Sequence, residues 1–423
     1  MLTRKAWDRI AAHYTYKCKQ DSRFSVQLCV AVFYGTPSQS TTVPSANNEL
    51  YIHKMKQIVT GKNGIFSFFS GCGILDLGFE ENGFEILFVN EFNPEFMSAY
   101  KHSRKILKKK APIFSYSEES IDVFLDITNK NKLISDIKNA KNEFSTIGFI
   151  GGPPCPDFSV AGKNKGYTGE NGRLSQSYID LIISIKPDWF LFENVRGLWK
   201  TKKHREFYDN LKNQLEIAGY ELSDKLLNSL EFGAPQDRER VFLFGTLKKL
   251  KLNTPEKFNF LKYKKFDINK IKTTQWPEKT KFGFDYVGEN NLPKLSVQYW
   301  FDKNSVDNHP NAKNVFTARA GLAKFLIIEE GDVSRKSYKR LHRYRYSPTV
   351  AYGNNEVHLH PTKPRRLTVA EALSLQSLPK NFELPQTMTL SAMFKTIGNG
   401  VPFLMASGIA QSINKHLSNK END

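Results

Sequence analysis

The sequence predicts an α/β fold in which ligands bind at the carboxyl ends of the strands, and three stretches support this prediction. The apolar run 147–150 indicates a short buried strand, which two glycines and two prolines end abruptly. At 64–79 a strand enters a glycine-rich turn and then a helix. A third buried strand is predicted at 188–192. Because open α/β sheets bind ligands beyond the carboxyl ends of their strands, the residues that follow each strand are the candidate site.

Composition points to a polyanionic partner. The chain has 423 residues, enough for two domains, with ordinary hydrophobic (40%) and charged (25%) contents. Its 61 basic residues exceed its 43 acidic residues, giving a net charge of +18. Such an excess suits nucleic acid or an anionic surface.

The cysteines and the apolar stretches predict a cytoplasmic protein. Cys18, Cys29, Cys72 and Cys155 form no CxxC pair, so neither a disulfide framework nor a metal site is expected. The apolar stretch 24–34 is too short to span a bilayer and lacks the arrangement of a signal peptide, so no membrane association is expected.

Cys155 is the candidate nucleophile. It stands between Pro154 and Pro156, directly after the predicted strand and its two glycines. Proline fixes φ and lacks an N–H group, so the strand ladder stops and the next side chain lies on a rigid loop. A single cysteine is usually a small buried hydrophobe, but its place at a strand's carboxyl edge favours nucleophilic chemistry.

The glycine-rich turn and two acidic residues predict a nucleotide-like ligand. Glycines allow close backbone approach, and the following helix offers free N–H groups, although Asp76 replaces the third glycine of the GxGxxG spacing. Glu91, about twenty positions after the turn and at the tip of the next strand, is a candidate for a ribose hydroxyl pair. A solvated surface carboxylate is the alternative. Asp126, in a short apolar context, is a candidate acceptor for an adenine amino group.

Further polar residues follow the next strands. The loop 161–173 is rich in glycine and lysine and suits a lid over a phosphate backbone, or an ordinary surface loop. Glu193 follows four apolar residues, which favours a raised pKa and acid chemistry, with helix capping as the alternative.

Two cationic stretches suggest contacts with phosphates or bases. Gln236, Arg238 and Arg240 share one face of an alternating strand, where three donors can hold a phosphate or a base edge; a salt-bridged surface strand is the alternative. The run 334–346 interleaves cations with aromatic residues, which favours DNA contact over a merely solvated face. A capping box at 368–371 then opens a helix.

Taken in order, these motifs resemble the DNA cytosine-C5 methyltransferase family of the bacterial restriction-modification type. The resemblance covers roughly residues 62–415 and depends on the order of the motifs more than on any one of them. The motifs are Phe-Ser-Gly-Cys-Gly at 69–73, Asn-Glu at 90–91, Pro-Pro-Cys at 153–155, Glu-Asn-Val at 193–195, Gln-Asp-Arg-Glu-Arg at 236–240, Arg-Arg-Leu-Thr at 365–368 and Gly-Asn-Gly-Val-Pro at 398–402.

The resemblance implies a doubly wound, Rossmann-like α/β domain that binds S-adenosylmethionine, with a smaller target-recognition domain. The implied division is an N-terminal extension at 1–60, expected to be dispensable, a catalytic domain at 61–248, a target-recognition domain at 249–362, and a segment at 363–423 that returns to the catalytic domain.

The resemblance also implies the chemistry. A Cys155 thiolate adds to C6 of a flipped-out cytosine, Glu193 acts at N3, and Asn194 orients the acid or the base. Arg240, with Arg238 alongside, holds the O2 side of the ring.

Implied binding residues complete the assignment. For S-adenosylmethionine they are Phe69, Gly71 and Gly73 with Cys72 between them at the methionine end, Glu91 at the ribose, Phe92 on the adenine face, Asp126 and Ile127 at the adenine edge, and Pro154 and Asn399 closing the pocket. For DNA they are Ser159, Lys163, Lys165, Arg173, Gln236, Arg335, Lys336, Arg340, Arg343 and Arg345.

Two departures and three alternatives accompany the resemblance. Pro156 stands where the family often has Gln, and Ser67-Phe68 where an acidic residue and Leu are common. The alternatives are a tRNA cytosine-C5 methyltransferase, a catalytically silent DNA-binding protein on the same fold, and a nicotinamide dehydrogenase, which the missing third glycine disfavours. The expected partners of a monomeric enzyme are double-stranded DNA and, acting separately, a restriction endonuclease.

Overall fold

The computed structural model describes residues 62–154, 170–250, 258–318, 321–350 and 356–418. The predicted N-terminal extension therefore lies outside the described residues, as do Cys155, Ser159, Lys163 and Lys165. The strands are β1 (Asn63–Phe68), β2 (Phe84–Asn90), β3 (Tyr116–Ser117), β4 (Thr146–Gly151), β5 (Trp189–Val195), β6 (Tyr220–Asn228), β7 (Gln236–Asp237), β8 (Glu239–Leu247) and β9 (Ser347–Pro348).

Helices connect and cover these strands. They are α1 (Ile74–Glu80), α2 (Pro94–Ile106), α3 (Ile127–Ala140), α4 (Glu170–Ile185), α5 (Arg196–Lys200), α6 (Lys202–Ile217), α7 (Ile268–Thr273), α8 (Val297–Lys303), α9 (Leu322–Ile327), α10 (Val369–Leu375), α11 (Leu390–Asn399) and α12 (Phe403–Leu417). A 3₁₀ turn at Ile121–Leu125 precedes α3. None of the helices in the described ranges is long and apolar enough to cross a membrane.

Seven strands form the central sheet, in the order β3-β2-β1-β4-β5-β8-β6. Strand β1 pairs in parallel with β2 on one side and β4 on the other, and β4 pairs in parallel with β5. Every residue of β1 and β4 is buried, as expected for central parallel strands covered on both faces. The order in which strands are added to the sheet thus reverses between β1 and β4, which places the ligand crevice at their carboxyl ends. The predicted doubly wound α/β fold is confirmed.

The two faces of the sheet carry separate parts of the core. Along β5, Phe190 and Phe192 pack into one apolar cluster, whereas Trp189 and Leu191 pack into the other. This alternation follows from the two-residue period of a strand. Helix α12 covers the second face by packing on α1 so closely that a Cβ at Gly78 would lie 2.5 Å from the Ala406 Cβ. The last described helix therefore contributes to the same core as the first strand.

Strand β8 runs antiparallel to both of its neighbours, β5 and β6. Its first residues consequently lie at the edge where β5 and β6 end, with Arg240 opposite Val195 and Leu227. The prediction of one alternating strand through Gln236, Arg238 and Arg240 is wrong. Residues Gln236 and Asp237 form β7, which pairs with β9 in a separate two-stranded sheet. Arg238 belongs to neither strand and separates β7 from β8.

Candidate active site

A cavity of about 1560 Å³ opens at the carboxyl edge of the sheet, where β1, β2, β4 and β5 end and β8 begins. It is larger than the roughly 300–1,000 Å³ typical of a pocket for one small molecule. Most of the predicted cofactor and catalytic residues that the structure describes line it, namely Phe69, Gly71, Cys72, Glu91, Phe92, Pro154, Glu193, Asn194, Arg238, Arg240 and Asn399. One cavity thus contains members of both predicted sets.

The glycine-rich turn after β1 is built from left-handed residues. Phe69, Gly71 and Gly73 have φ values of 53°, 57° and 82°. Its position is fixed by a hydrogen bond in which Ser70 N donates to Asn90 O at 3.1 Å. Gly73 does not line the cavity, and its predicted contact with the cofactor stays a prediction. A Cβ at Gly73 would lie 2.6 Å from the Tyr100 ring, so this glycine lets the turn pack against α2.

The thiol of Cys72 faces a protein interior rather than solvent. The residue is 2% exposed, and burial raises the pKa of the thiol to about 11. A protonated thiol is a weak nucleophile, so Cys72 is suited to packing beneath a ligand and not to attack.

Glu91 joins the glycine turn to the start of α2. Its Oε2 accepts a hydrogen bond from Gly71 N at 2.7 Å, and its Oε1 accepts one from Asn93 N at 2.8 Å. Burial raises the pKa of this carboxyl, and the two N–H donors and the Lys395 ammonium oppose that shift. Each oxygen of a carboxylate has further acceptor capacity, so Glu91 can also accept from a hydroxyl pair in the cavity.

The residues predicted for the adenine edge lie outside the lining of the cavity, and their contact with adenine stays a prediction. Asp126 is exposed and caps α3, where its Oδ1 accepts from Thr128 N at 2.9 Å, and Ile127 is 61% exposed. Neither residue lines the cavity, whereas Ser120 and Ile121 do. Both stretches have a similar apolar context in the sequence. The residues that line the cavity come shortly after β3, and this strand has only two residues, too few to be recognised from periodicity.

Glu193 and Arg240 form a buried ion pair at the end of β5. The carboxyl group is 8% exposed, and its Oε1 lies 3.0 Å from Arg240 Nε. Burial raises the pKa of Glu193, and Arg240 and then Arg238 oppose the shift. A Cβ at Gly152 would lie 2.6 Å from Glu193 Oε2, so the absence of a side chain there lets the carboxyl lie against the Gly-Pro-Pro segment. That segment leads directly to Cys155.

Asn194 acts on the same segment. Its Nδ2 donates to Pro153 O at 3.5 Å, and its Oδ1 accepts from Val195 N at 2.8 Å. Because Asn194 is 1% exposed, these contacts fit a role in orienting the loop before Cys155.

Gln236 and Arg238 are both fully buried. Gln236 does not line the cavity, which disagrees with its predicted DNA contact, whereas Arg238 lines the cavity and its contact with the base stays a prediction. Gln236 Nε2 donates to Leu375 O at 3.4 Å. The Arg238 guanidinium donates to Gly398 O at 2.7 Å and to Val350 O at 3.3 Å. Of the three donors predicted to converge on a ligand, Arg240 forms an ion pair with Glu193.

Comparison with known proteins identifies the family. The model of the C-5 cytosine-specific DNA methylase family matches residues 64–415. The chain belongs to this family. It is 53% identical over 379 residues to the Type II methyltransferase M.NmeDI of Neisseria meningitidis serogroup C, covering 89% of each chain. It is 30% identical over 371 residues to the Type II methyltransferase M.FnuDI of Fusobacterium nucleatum, covering 84% of this chain and 96% of the relative.

A solved structure shares the fold. The S. pombe Dnmt2 methyltransferase superposes with a TM-score of 0.53 at 13% identity, covering 84% of this chain and 98% of that chain. The protein is therefore a C-5 cytosine-specific DNA methyltransferase, and its family implies S-adenosylmethionine as the methyl donor. The predicted family and enzyme class are confirmed.

The predicted DNA-contact run of this methyltransferase is divided between the interior and the surface. Arg340 is fully buried, and its guanidinium donates to backbone carbonyls that include Ile328 O at 2.8 Å and Lys363 O at 3.1 Å. Its prediction as a DNA contact is corrected, because these bonds hold the guanidinium inside the protein. Arg343 is mostly buried and pairs with Glu330 at 3.0 Å.

The other residues of the run are more accessible. Arg335 pairs with Asp332 at 3.0 Å but keeps 53% of its side chain exposed, and Lys336 is exposed. Arg345 is half-buried, with its guanidinium 5.9 Å from the Trp276 ring. Arg173, 59% exposed, lines the cavity and pairs with Asp122 at 2.6 Å.

Four cations that were not predicted as site residues also line the cavity of this methyltransferase: Arg196, Lys225, Lys272 and Lys395. Two of them lie at strand ends, since Arg196 follows β5 directly and Lys225 lies near the end of β6. Only Arg196 has a sequence signal, its position directly after an apolar strand, and none of the four belongs to a cluster such as 334–346.

Proposed function

We propose that this methyltransferase modifies C5 of cytosine within one specific double-stranded DNA sequence, through a covalent Cys155–C6 adduct on a flipped-out base. The observation that supports this most directly is the buried Glu193–Arg240 pair, which lies against the segment leading to Cys155. The same cavity contains the glycine turn and Glu91, so a methyl donor and a base fit beside each other.

The residues at one end of the cavity fit S-adenosylmethionine, which supplies a methyl group on a sulfonium centre. The left-handed turn at Phe69–Gly73 lets the backbone approach the ligand closely. Glu91 is placed to accept from the ribose hydroxyls. Phe92 is 70% exposed at the cavity wall and offers an open ring face to adenine. Ser120 and Ile121 also line the cavity and are assigned to the edge of the adenine ring.

Activation of the base assigns roles to Cys155 and Glu193. The Cys155 thiolate forms a bond to C6, and the displaced π electrons move through the ring while N3 takes the Glu193 proton. The product is an enamine with a nucleophilic C5, which accepts the methyl group. A base then removes the C5 proton, the C6–S bond breaks to release the thiolate, and N3 returns its proton to Glu193. Arg240 holds Glu193 and faces the O2 side of the ring.

The target atoms are inaccessible inside a duplex, so the base must leave the stack at a cost of a few kcal/mol. The size of the cavity, about 1560 Å³, gives room for this base beside the cofactor. We assign target reading to the segment 249–362, and modification within a Type II restriction-modification system, alongside a separate endonuclease, by analogy with M.NmeDI. We expect the protein to act as a monomer.

The deciding experiment is methyl transfer from tritiated S-adenosylmethionine to unmethylated duplex DNA, with transfer RNA in a parallel reaction. Label in DNA, followed by sequencing of the methylated product, is the expected result and yields the target site. Label in RNA alone would move the assignment to a tRNA cytosine-C5 methyltransferase. DNA binding without label in either substrate would favour a catalytically silent DNA-binding protein.

Glu91→Ala is expected to weaken S-adenosylmethionine binding roughly 10- to 100-fold, the loss typical when hydrogen bonds to a charged acceptor are removed. It removes the acceptor for the ribose and also leaves the Gly71 and Asn93 N–H groups without the carboxylate. Isothermal titration calorimetry measures the affinity. Glu95→Ala is the matched control, because this carboxylate on α2 bonds Thr389 and does not line the cavity. An unchanged affinity in the Glu91 variant would contradict the ribose assignment.

Cations at the cavity mouth are expected to contact DNA phosphates. Arg196 (54% exposed) and Lys225 (exposed) lie at the ends of β5 and β6. The double variant Arg196→Ala/Lys225→Ala should lower the slope of log affinity against log salt by about 2, since each phosphate contact contributes about 0.9. Fluorescence anisotropy across a salt series measures the slope. Lys248→Ala/Lys249→Ala, beyond the far end of β8, is the control and should leave it unchanged.

A further inference from the structure

Arg238 bonds backbone carbonyls of two distant segments. It lies in the break between β7 and β8 and is fully buried. Its Nη2 donates to Gly398 O at 2.7 Å, and its Nη1 donates to Val350 O at 3.3 Å. One guanidinium therefore links two segments that are far apart in the chain, and its planar fork suits two acceptors at once.

The first of these segments closes the cofactor end of the cavity. Gly398 belongs to the last turn of α11, and Gly398, Asn399 and Gly400 line the cavity. Carbonyls at the end of a helix carry partial negative charge and lack helical partners, so a cation there stabilises the turn. A second side chain reinforces it, because Gln376 Nε2 donates to Ile397 O at 2.6 Å.

The second segment belongs to the stretch 249–362, to which we assign target reading. Val350 follows β9, which continues the chain from the basic run 334–346, and Thr349 and Val350 also line the cavity. Val350 is held at both of its backbone groups, since its N–H donates to Gln236 Oε1 at 3.4 Å while its carbonyl accepts from Arg238. Thr349 Oγ1 in turn donates to Asp237 O at 2.5 Å.

We propose that Arg238 is a positioning residue that couples cofactor binding to DNA binding. This inference rests on the proposed function. A cofactor that orders the 398–400 turn fixes Gly398 O, which orders the Arg238 guanidinium and with it Val350 at the base of the DNA-reading segment. Linkage makes the effect reciprocal, so DNA that orders Val350 also favours the closed cofactor turn.

The test measures DNA affinity with and without S-adenosylhomocysteine, the methyl-depleted form of the cofactor, so that no chemistry occurs. In the unaltered protein this ligand should raise DNA affinity roughly 10-fold. In Arg238→Lys the factor should fall to about 1 to 2, because an ammonium is a point donor that does not reproduce the two-carbonyl fork. A merely structural role would lower thermal stability and leave this factor unchanged.

Arg340→Lys is the matched control. It also replaces a fully buried arginine that donates to backbone carbonyls, but Arg340 does not line the cavity. This variant should lose stability and keep the full factor. Retention of the factor in Arg238→Lys, or a factor of about 1 in the unaltered protein, would overturn the coupling. Failure of the unaltered protein to bind either ligand would instead overturn the proposed function.

Hydrogen exchange on the unaltered protein provides a second measurement if Arg238→Lys does not fold. S-adenosylhomocysteine alone should slow exchange of the Val350 amide, which donates to Gln236 Oε1 at 3.4 Å. DNA alone should slow exchange of the Gly400 amide, which donates to Ile397 O at 3.2 Å. Slowing confined to the segment that contacts each ligand would overturn the proposal.

Discussion

Replacement of Cys155 by serine is expected to lower methyl transfer by on the order of 10³-fold or more, the scale of loss when an enzymatic nucleophile is removed. A hydroxyl is far less ionised than a thiol at neutral pH and does not add to C6 at a useful rate. DNA affinity should change little, because binding depends on phosphate and base contacts that the substitution leaves in place.

The adduct itself can be trapped. A duplex that contains 5-fluorocytosine at the target carries no C5 proton to remove, so the thioether formed at C6 persists after methylation. The unaltered protein should give a covalent protein–DNA band on a denaturing gel, and Cys155→Ser should give none. Cys29→Ser, outside the matched residues 64–415, is the control and should behave as the unaltered protein. An adduct in the Cys155 variant would exclude this residue as the nucleophile.

Glu193→Gln is expected to lower the rate roughly 10²- to 10⁴-fold, because the amide preserves the shape of the acid but has no acidic proton to transfer to N3. The same residue should govern the pH dependence. Burial raises the pKa of Glu193, so the protonated acid persists to higher pH than in a solvated glutamate. Activity should then fall as pH rises through that raised pKa, and this limb should be missing in the variant.

The raised pKa of Glu193 also makes the free energy of unfolding fall as pH rises, in the same direction as the activity. Because the pKa of Glu193 is higher in the folded protein than in the unfolded chain, its contribution is complete below the unfolded pKa and is lost as pH rises through the folded one. Pre-steady-state rates across a pH series, with thermal unfolding alongside, measure both effects. Glu221→Gln, exposed at the start of β6, is the control. A pH profile that is identical in unaltered protein and Glu193→Gln would rule out the acid role.

The central sheet was predictable from sequence because its signals are local. The apolar runs before Gly152 and before Glu193, and the glycine turn after β1, each combine strong periodicity with abrupt punctuation. A buried parallel strand must be apolar on both faces, so its end is visible wherever polar residues begin. The order of those ends then indicated which residues share the cavity.

The remaining errors concern interactions between distant segments. The spacing of Gln236, Arg238 and Arg240 suggested one strand face, but pairing with β9 draws Gln236 into another sheet. Arg340 resembles its cationic neighbours in the sequence, yet carbonyls from several loops surround it. No local pattern reveals which carbonyls or strands a residue will meet after folding.

The antiparallel direction of β8 makes the chemistry of this enzyme depend on ladder alignment as well as on side-chain identity. Arg240 lies opposite Val195 through backbone pairing, and the pairing, not the length of the intervening chain, sets its distance from Glu193. Helices α5 and α6 can therefore change in length without separating the acid from its partner. A one-residue deletion within β8 would do the reverse, because every later side chain would change faces. Such a protein could keep its sheet while Arg240 no longer paired with Glu193.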